Sequence, residues 1–198
     1  MNDIYITLAV EDQLSETVAR KILKESPQPF IINQCLGNQG FGYLKSKINA
    51  FNRAASGSPF FVLTDQDSGC PPEKITSWLQ NPMHPNLLFR IAVMAIESWV
   101  MAHRDAFADF LGIPPDKIPL ETDTIENPKL FLLSLARKSR FHRLKQDIVP
   151  AKGATSVQGP DYNNRLCTFI EQSWSVHMAR KHSDSLNRAY NRIQGFNP

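Results

Sequence analysis

The run Phe60-Phe61-Val62-Leu63-Thr64 does most to narrow what this chain can fold into. It is short, continuously apolar, and stops at Asp65-Gln66-Asp67 before a turn-rich Ser68-Gly69-Cys70-Pro71-Pro72. Such a run is expected of a central strand in a parallel sheet, buried on both faces. Its neighbours fit that setting. Ile4, Ile6, Leu8 and Val10 alternate with Tyr5, Thr7 and Ala9, a period-2 strand whose second face is also mostly apolar. Residues 15–26 carry Val18, Ile22 and Leu23 at helical spacing and close at Pro27-Gln28-Pro29, where proline stops a helix. Phe30-Ile31-Ile32 reads as a second strand, Gly37 to Gly42 as a turn, and Leu44 to Ala55 as a second helix. Glu73 to Gln80 is a short helix and Leu87 to Val93 a fourth strand, followed by helices over 95–104 and 106–111.

Strand and helix alternating in this way predict an α/β fold, with a central parallel sheet of about four strands and helices on both faces. From about Pro114 the strand signal stops, and 128–146, 160–173 and 183–194 read as helical around a loop at 150–160. The expected build is a core over residues 1–113 with a basic, helical C-terminal extension, 114–198, packed on it.

Charge divides along the same line. Residues 1–128 hold 10 basic and 15 acidic side chains, while residues 129–198 hold 12 basic and 4 acidic, so a net charge of +3 conceals two opposed parts. No apolar run approaches the roughly 20 residues of a membrane span. The N-terminus lacks the basic-then-apolar layout of a signal peptide. Cys35, Cys70 and Cys167 are scattered and odd in number, against a disulfide framework or a zinc ribbon. The expectation is a cytoplasmic protein with no membrane partner.

The acids fall at telling places. Glu11 directly follows strand one, and Asp65 and Asp67 follow strand three. Ligand sites of open α/β sheets lie at the carboxyl ends of strands, so the two groups converge if strands one and three are neighbours. Glu97, just beyond strand four, would join them. Carboxylates gathered in one place repel each other unless a cation is present, and oxygen-rich clusters suit Mg²⁺ or Mn²⁺. The other reading of Asp65-Gln66-Asp67 is turn chemistry, since Asp favours turns. A second constellation is basic: Arg137, Lys138, Arg140, Arg143 and Lys145 lie within nine residues, with Phe141 and His142 among them. Cations with interleaved aromatics neutralise phosphates and stack on bases, although a charged surface helix looks the same in sequence. The five histidines lack HxxxH and HExxH spacing, and no serine sits in a G-x-S-x-G elbow. Gly37, Gly40 and Gly42 are read as a turn, because no Walker lysine follows them.

Val10-Glu11-Asp12-Gln13-Leu14-Ser15-Glu16 resembles the glutamate motif of TOPRIM domains, the fold of topoisomerases, bacterial primases and OLD-family nucleases. Leu63-Thr64-Asp65-Gln66-Asp67 resembles their DxD motif, and Ile96-Glu97-Ser98-Trp99 the glutamate-plus-aromatic helix start of the OLD-type branch. Across most of its length the chain resembles a family of small, stand-alone bacterial TOPRIM-like proteins. Phe41 to Leu44, Asn86 to Val93, Ser139-Arg140, Gln158 to Asn163 and Ser183 to Ala189 look like its recurring blocks. One departure stands out: the family's glycine after the motif glutamate is Asp12 here.

The resemblance implies Glu11 as metal ligand and acid/base, Asp65, Asp67 and Glu97 as further ligands of two Mg²⁺ or Mn²⁺ ions, and Lys129 as the cation near the phosphorane. The function it implies is metal-dependent nuclease cleavage of phosphodiester bonds in nucleic acid, DNA before RNA. The setting it implies is bacterial phage defence or a mobile element, beside an ATPase partner, with a homodimer as one expected assembly. Two other readings follow the same residues. One is a non-catalytic TOPRIM-fold sensor or ATPase partner subunit, favoured by Asp12. The other is phosphotransfer or hydrolysis on a small nucleotide.

Overall fold

The computed structural model describes residues 3–37, 40–66 and 70–198. Four strands, β1 (Ile4–Val10), β2 (Phe30–Gly37), β3 (Phe60–Asp65) and β4 (Leu87–Ala92), form one sheet in the order β2-β1-β3-β4. Every pairing is parallel. Between and after the strands run α1 (Gln13–Lys24), α2 (Phe41–Ala54), α3 (Pro71–Trp78), α4 (Ile96–Ala102) and α5 (Arg104–Leu111). Five more helices follow: α6 (Pro128–Ala136), α7 (His142–Ile148), α8 (Tyr162–Gln172), α9 (Val176–Ala179) and α10 (Asp184–Gln194). The α/β class and the parallel four-stranded sheet are as the sequence predicts.

Alternation along each strand feeds two cores. Ile6, Leu8 and Val10 of β1, with Phe61 and Leu63 of β3, join Leu14, Val18 and Ile22 of α1 on one face. Ala9, Phe60, Val62 and Phe89 face the other way, onto Leu44, Ile48 and Phe51 of α2 and Trp78 of α3. The helix after β1 thus lies on the face opposite to the helix after β3, although the two strands are neighbours. That reversal makes a crevice at their carboxyl ends, the place where open α/β sheets bind ligands.

Residues beyond 113 are built into the first core. Leu132 and Leu135 of α6, Leu166 and Ile170 of α8, Trp174, Ile193 of α10 and Phe196 all belong to the same buried cluster as β1 and α1. Polar bonds reinforce it: the Trp174 indole donates to the Trp99 carbonyl at 3.0 Å, and the Tyr190 hydroxyl to the Glu25 carbonyl at 3.0 Å. Among the described residues no helix is long and apolar enough to cross a membrane.

Three local departures have physical causes. β2 runs to Gly37, five residues past Ile32, because it is an edge strand whose Asn33 and Gln34 are solvent-exposed, and the register shifts opposite Ile6 and Thr7. The helix read over 128–146 is two, α6 and α7, broken at 137–141, where the Ser139 hydroxyl accepts the Phe141 amide at 3.0 Å. α9 has four residues, too few for periodicity to show.

Candidate active site at the carboxyl edge of the sheet

Gly37 fixes how β1 ends. It pairs with Val10 at φ +120°, and a Cβ on it would stand 1.9 Å from the Val10 carbonyl oxygen. Only glycine accepts that backbone and that approach. Beyond it the Gly40 amide donates to the Glu11 carbonyl at 3.0 Å. Asp12 is the N-cap of α1, its carboxylate accepting the Ser15 amide at 2.8 Å. The residue that departs from the glutamate motif therefore has a capping role, one that Asp fills well.

The β1–β3 register, Val10 opposite Leu63, brings Glu11 beside the end of β3. Glu11 Oε1 accepts the Thr64 hydroxyl and the Asp65 amide, the latter at 3.0 Å. Asp65 Oδ1 in turn accepts the Ile96 amide at 2.9 Å, at the first turn of α4. Glu97, 6% exposed, follows at once, and its Oε1 accepts the Tyr162 hydroxyl at 3.0 Å. Lys129 lies in the first turn of α6, which Asn127 caps, and its Nζ stands 5.3 Å from the centre of the Tyr162 ring. Glu11, Asp65, Glu97 and Lys129 are thus brought together from four elements. Asp67 lies outside the described residues.

Electrostatics agree with that convergence. Burial holds the Asp65 carboxyl well above the ordinary range, and the neighbouring Glu97, Glu11 and Asp12 push it further the same way. Burial also raises Glu97, against the Tyr162 hydroxyl and the Lys129 ammonium, which favour its charged form. The Tyr162 hydroxyl is raised by burial and by Glu97. This is mutual repulsion of acids in a poorly solvated place.

The loop behind the acids is held from several sides. The Gln66 amide donates to the Ala92 carbonyl at 3.0 Å, and the Met94 amide to the Gln66 side chain at 3.2 Å. Met94 has φ 63°, a left-handed conformation unusual for a residue with a side chain. Lys74, 8% exposed, donates to the Asp65 and Gln66 carbonyls and sits 4.7 Å from the Phe41 ring centre and 5.3 Å from that of Trp78. Thr64, Lys74 and Tyr162 escape sequence reasoning. The only signal for Tyr162 is its place in the Gln158 to Asn163 block; nothing in the chain says it meets a glutamate 65 residues away.

The basic residues lie elsewhere. Arg137 is the C-cap of α6, at the opposite end of that helix from Lys129, and Lys138 and Arg140 follow it. The Arg140 side chain packs against Gly112, just past α5. Arg143 and Lys145 lie on α7, which returns toward the site: the Ile148 carbonyl accepts the Gly159 amide at 2.8 Å, three residues before Tyr162. All five are solvent-facing to some degree, and none forms an ion pair among the described residues.

Tyr162→Phe tests the pairing within the site. Removing the hydroxyl is expected to raise the Glu97 pKa further and to cost about 1 kcal/mol of stability. Carbon-detected NMR titration of the Glu97 carboxyl reads the shift; an unmoved titration would mean that the hydroxyl does not favour the carboxylate.

Fold and site together define an α/β protein with acids gathered at the switch point of a parallel sheet. Among the described residues, no three His, Cys, Asp or Glu side chains lie close enough to hold a metal ion as placed. No family model, curated protein or solved structure matches the chain.

Proposed function

We propose that this protein is a metal-dependent, TOPRIM-like nuclease that cleaves phosphodiester bonds in nucleic acid, in a bacterial phage-defence or mobile-element setting. One observation carries the reading: Glu11, Asp65 and Glu97 converge with Lys129 at one sheet edge, although 118 residues separate the first from the last. The candidate donors are all carboxylate oxygens, the type a hard divalent cation takes, and burial raises both Asp65 and Glu97, with neighbouring acids adding to the shift at Asp65, a cost that a bound cation would offset. Glu11, Asp65 and Glu97 would hold such ions together with Asp67. When bound, Mg²⁺ or Mn²⁺ supplies an activated water and stabilises the leaving oxygen.

The chain's own groups do the rest. The Thr64 hydroxyl and the Asp65 amide aim Glu11, which takes the proton of the attacking water. The Tyr162 hydroxyl keeps Glu97 turned to the site, and Lys129 presents a cation to the phosphate as negative charge grows. Arg137, Lys138, Arg140, Arg143 and Lys145 attract the rest of the polyanion.

The test is cleavage of linear DNA, supercoiled DNA and RNA with Mn²⁺ or Mg²⁺. Glu11→Ala and Asp65→Ala are each expected to abolish cutting while the circular dichroism spectrum stays unchanged. Activity that survives in both variants, or in excess chelator, overturns the proposal. A second reading, a non-catalytic TOPRIM-fold sensor or partner subunit of an ATPase, is favoured by the internal hydrogen bonds that already occupy Glu11, Asp65 and Glu97. Calorimetric titration separates the two, since tight divalent binding supports the nuclease and its absence the sensor.

A further inference from the structure

A second concavity, a cleft of about 420 Å³, lies between β4, α3 and α10. Pro71, Ile75, Ile91, Val93 and Ala189 give it an apolar wall. Its volume falls within the range of small-molecule sites, which pair such walls with a few placed polar groups.

Arg90 is the polar group that stands out. It projects from β4 into the cleft lining, and its Nε is buried with no hydrogen-bond partner among the described residues. Among the described residues no acid forms an ion pair with its guanidinium either. The two acids that line the cleft are committed: Asp184 pairs with Arg188 at 2.7 Å, and Asp123 accepts the Ser183 hydroxyl at 2.7 Å and the Ser185 amide at 2.8 Å. Burial, helped by the like charge of Arg192, draws the Arg90 pKa down to about 10, still charged at neutral pH. Buried donors in folded proteins nearly always have partners, and a guanidinium is built to meet a carboxylate or phosphate by two parallel bonds.

We infer that this cleft is a binding site for a small organic anion, one carboxylate or phosphate on a flat apolar body, with Arg90 taking the anionic group and the wall of Ile75, Ile91, Val93 and Ala189 taking the body. The site is separate from the carboxylates of Glu11, Asp65 and Glu97, and it does not depend on their chemistry. Val93 precedes Met94, whose amide donates to the Gln66 side chain, so occupancy would bear on that contact.

The full chain, in chelator so that the acidic site plays no part, is titrated with 2-naphthoate, 2-naphthyl phosphate and inorganic phosphate, followed by calorimetry and amide NMR. At least one aromatic anion is expected to bind and to move the amides of Ile91, Val93 and Ser185, with inorganic phosphate much weaker. Which of the two aromatic probes binds tighter assigns the anionic group. Arg90→Met is expected to weaken binding at least about tenfold. It should fold at least as well as the wild type, since it removes an unpartnered buried donor. Val93→Trp, which fills the cleft and leaves Arg90 in place, should also abolish binding. The inference is overturned if neither aromatic anion binds, if Arg90→Met binds them undiminished, or if the moved amides lie elsewhere. Loss of nuclease activity in Glu11→Ala would leave these results untouched.

Discussion

Gly37→Ala is expected to lower stability by about 3 kcal/mol or more, a fall of roughly 6–12 °C in Tm for a chain of this size. Two effects add. The backbone at φ +120° is one that L side chains rarely adopt, and the new methyl would lie 1.9 Å from the Val10 carbonyl oxygen. Neither β2 nor β1 can yield easily, because Val10 pairs with Leu63 on its other side and is fully buried. Gly57→Ala is the matched control: its Cβ would meet nothing nearer than the Ala54 carbonyl at 3.7 Å, and its Tm should stay within about 2 °C. Thermal unfolding followed by circular dichroism measures both. A Gly37→Ala protein as stable as the control would mean that the end of β2 is free to move off Val10. The site is then also less firmly placed, since Glu11 is the next residue.

Asp65→Asn is expected to do the opposite to stability while ending the metal-dependent cleavage proposed above. The Asp65 carboxyl is held above the ordinary value of about 3.9 by burial and by Glu97, Glu11 and Asp12. A native state that keeps the proton longer than the unfolded chain gains stability that is full below about pH 4. That stability is lost as pH rises through the folded value. At pH 8 in chelator the wild type bears the cost of burying this acid beside its neighbours, and the asparagine protein does not. The amide oxygen can still accept the Ile96 amide, so the first turn of α4 keeps its bond. The variant should therefore unfold about 2–4 °C higher at pH 8, a gain of about 1 kcal/mol, and its stability should fall less as pH rises above about 4. Adding Mn²⁺ at pH 8 should raise the Tm of the wild type and leave that of the variant unmoved. A variant less stable than the wild type at pH 8 without metal would show that the Asp65 carboxylate is favoured in the fold.

What the sequence made legible follows from which physical signals are local. The run at 60–64 and the alternation at 4–10 report burial on two faces directly, so β1 and β3, and the acids that end them, were readable. Glu97 was readable as an acid a few residues past β4, in the first turn of α4. β2 was read short because an edge strand with Asn33 and Gln34 on its open side has no apolar pattern to show. The break at 137–141 was hidden because arginine and lysine are good helix formers and no glycine or proline marks the stop. Tyr162, Thr64 and Lys74 were out of reach for a different reason: each matters through a partner that only tertiary packing supplies. Asp12 looked like a flaw in a motif and is a helix cap, a distinction that rests on one bond to the Ser15 amide.

The shared core has a consequence for the order in which the chain is made. α1 packs against α8, α4 against α6, and Phe196 stacks on Phe30 with ring centres 6.1 Å apart. At about 5–20 residues per second, the ribosome takes several seconds to deliver the stretch from 114 to Phe196 after the sheet has emerged. Through that interval the outward sides of α1 and α4 have nothing to cover them. The nascent chain therefore passes through a half-built stage with apolar helix faces exposed, a stage in which chains of this kind are prone to aggregate.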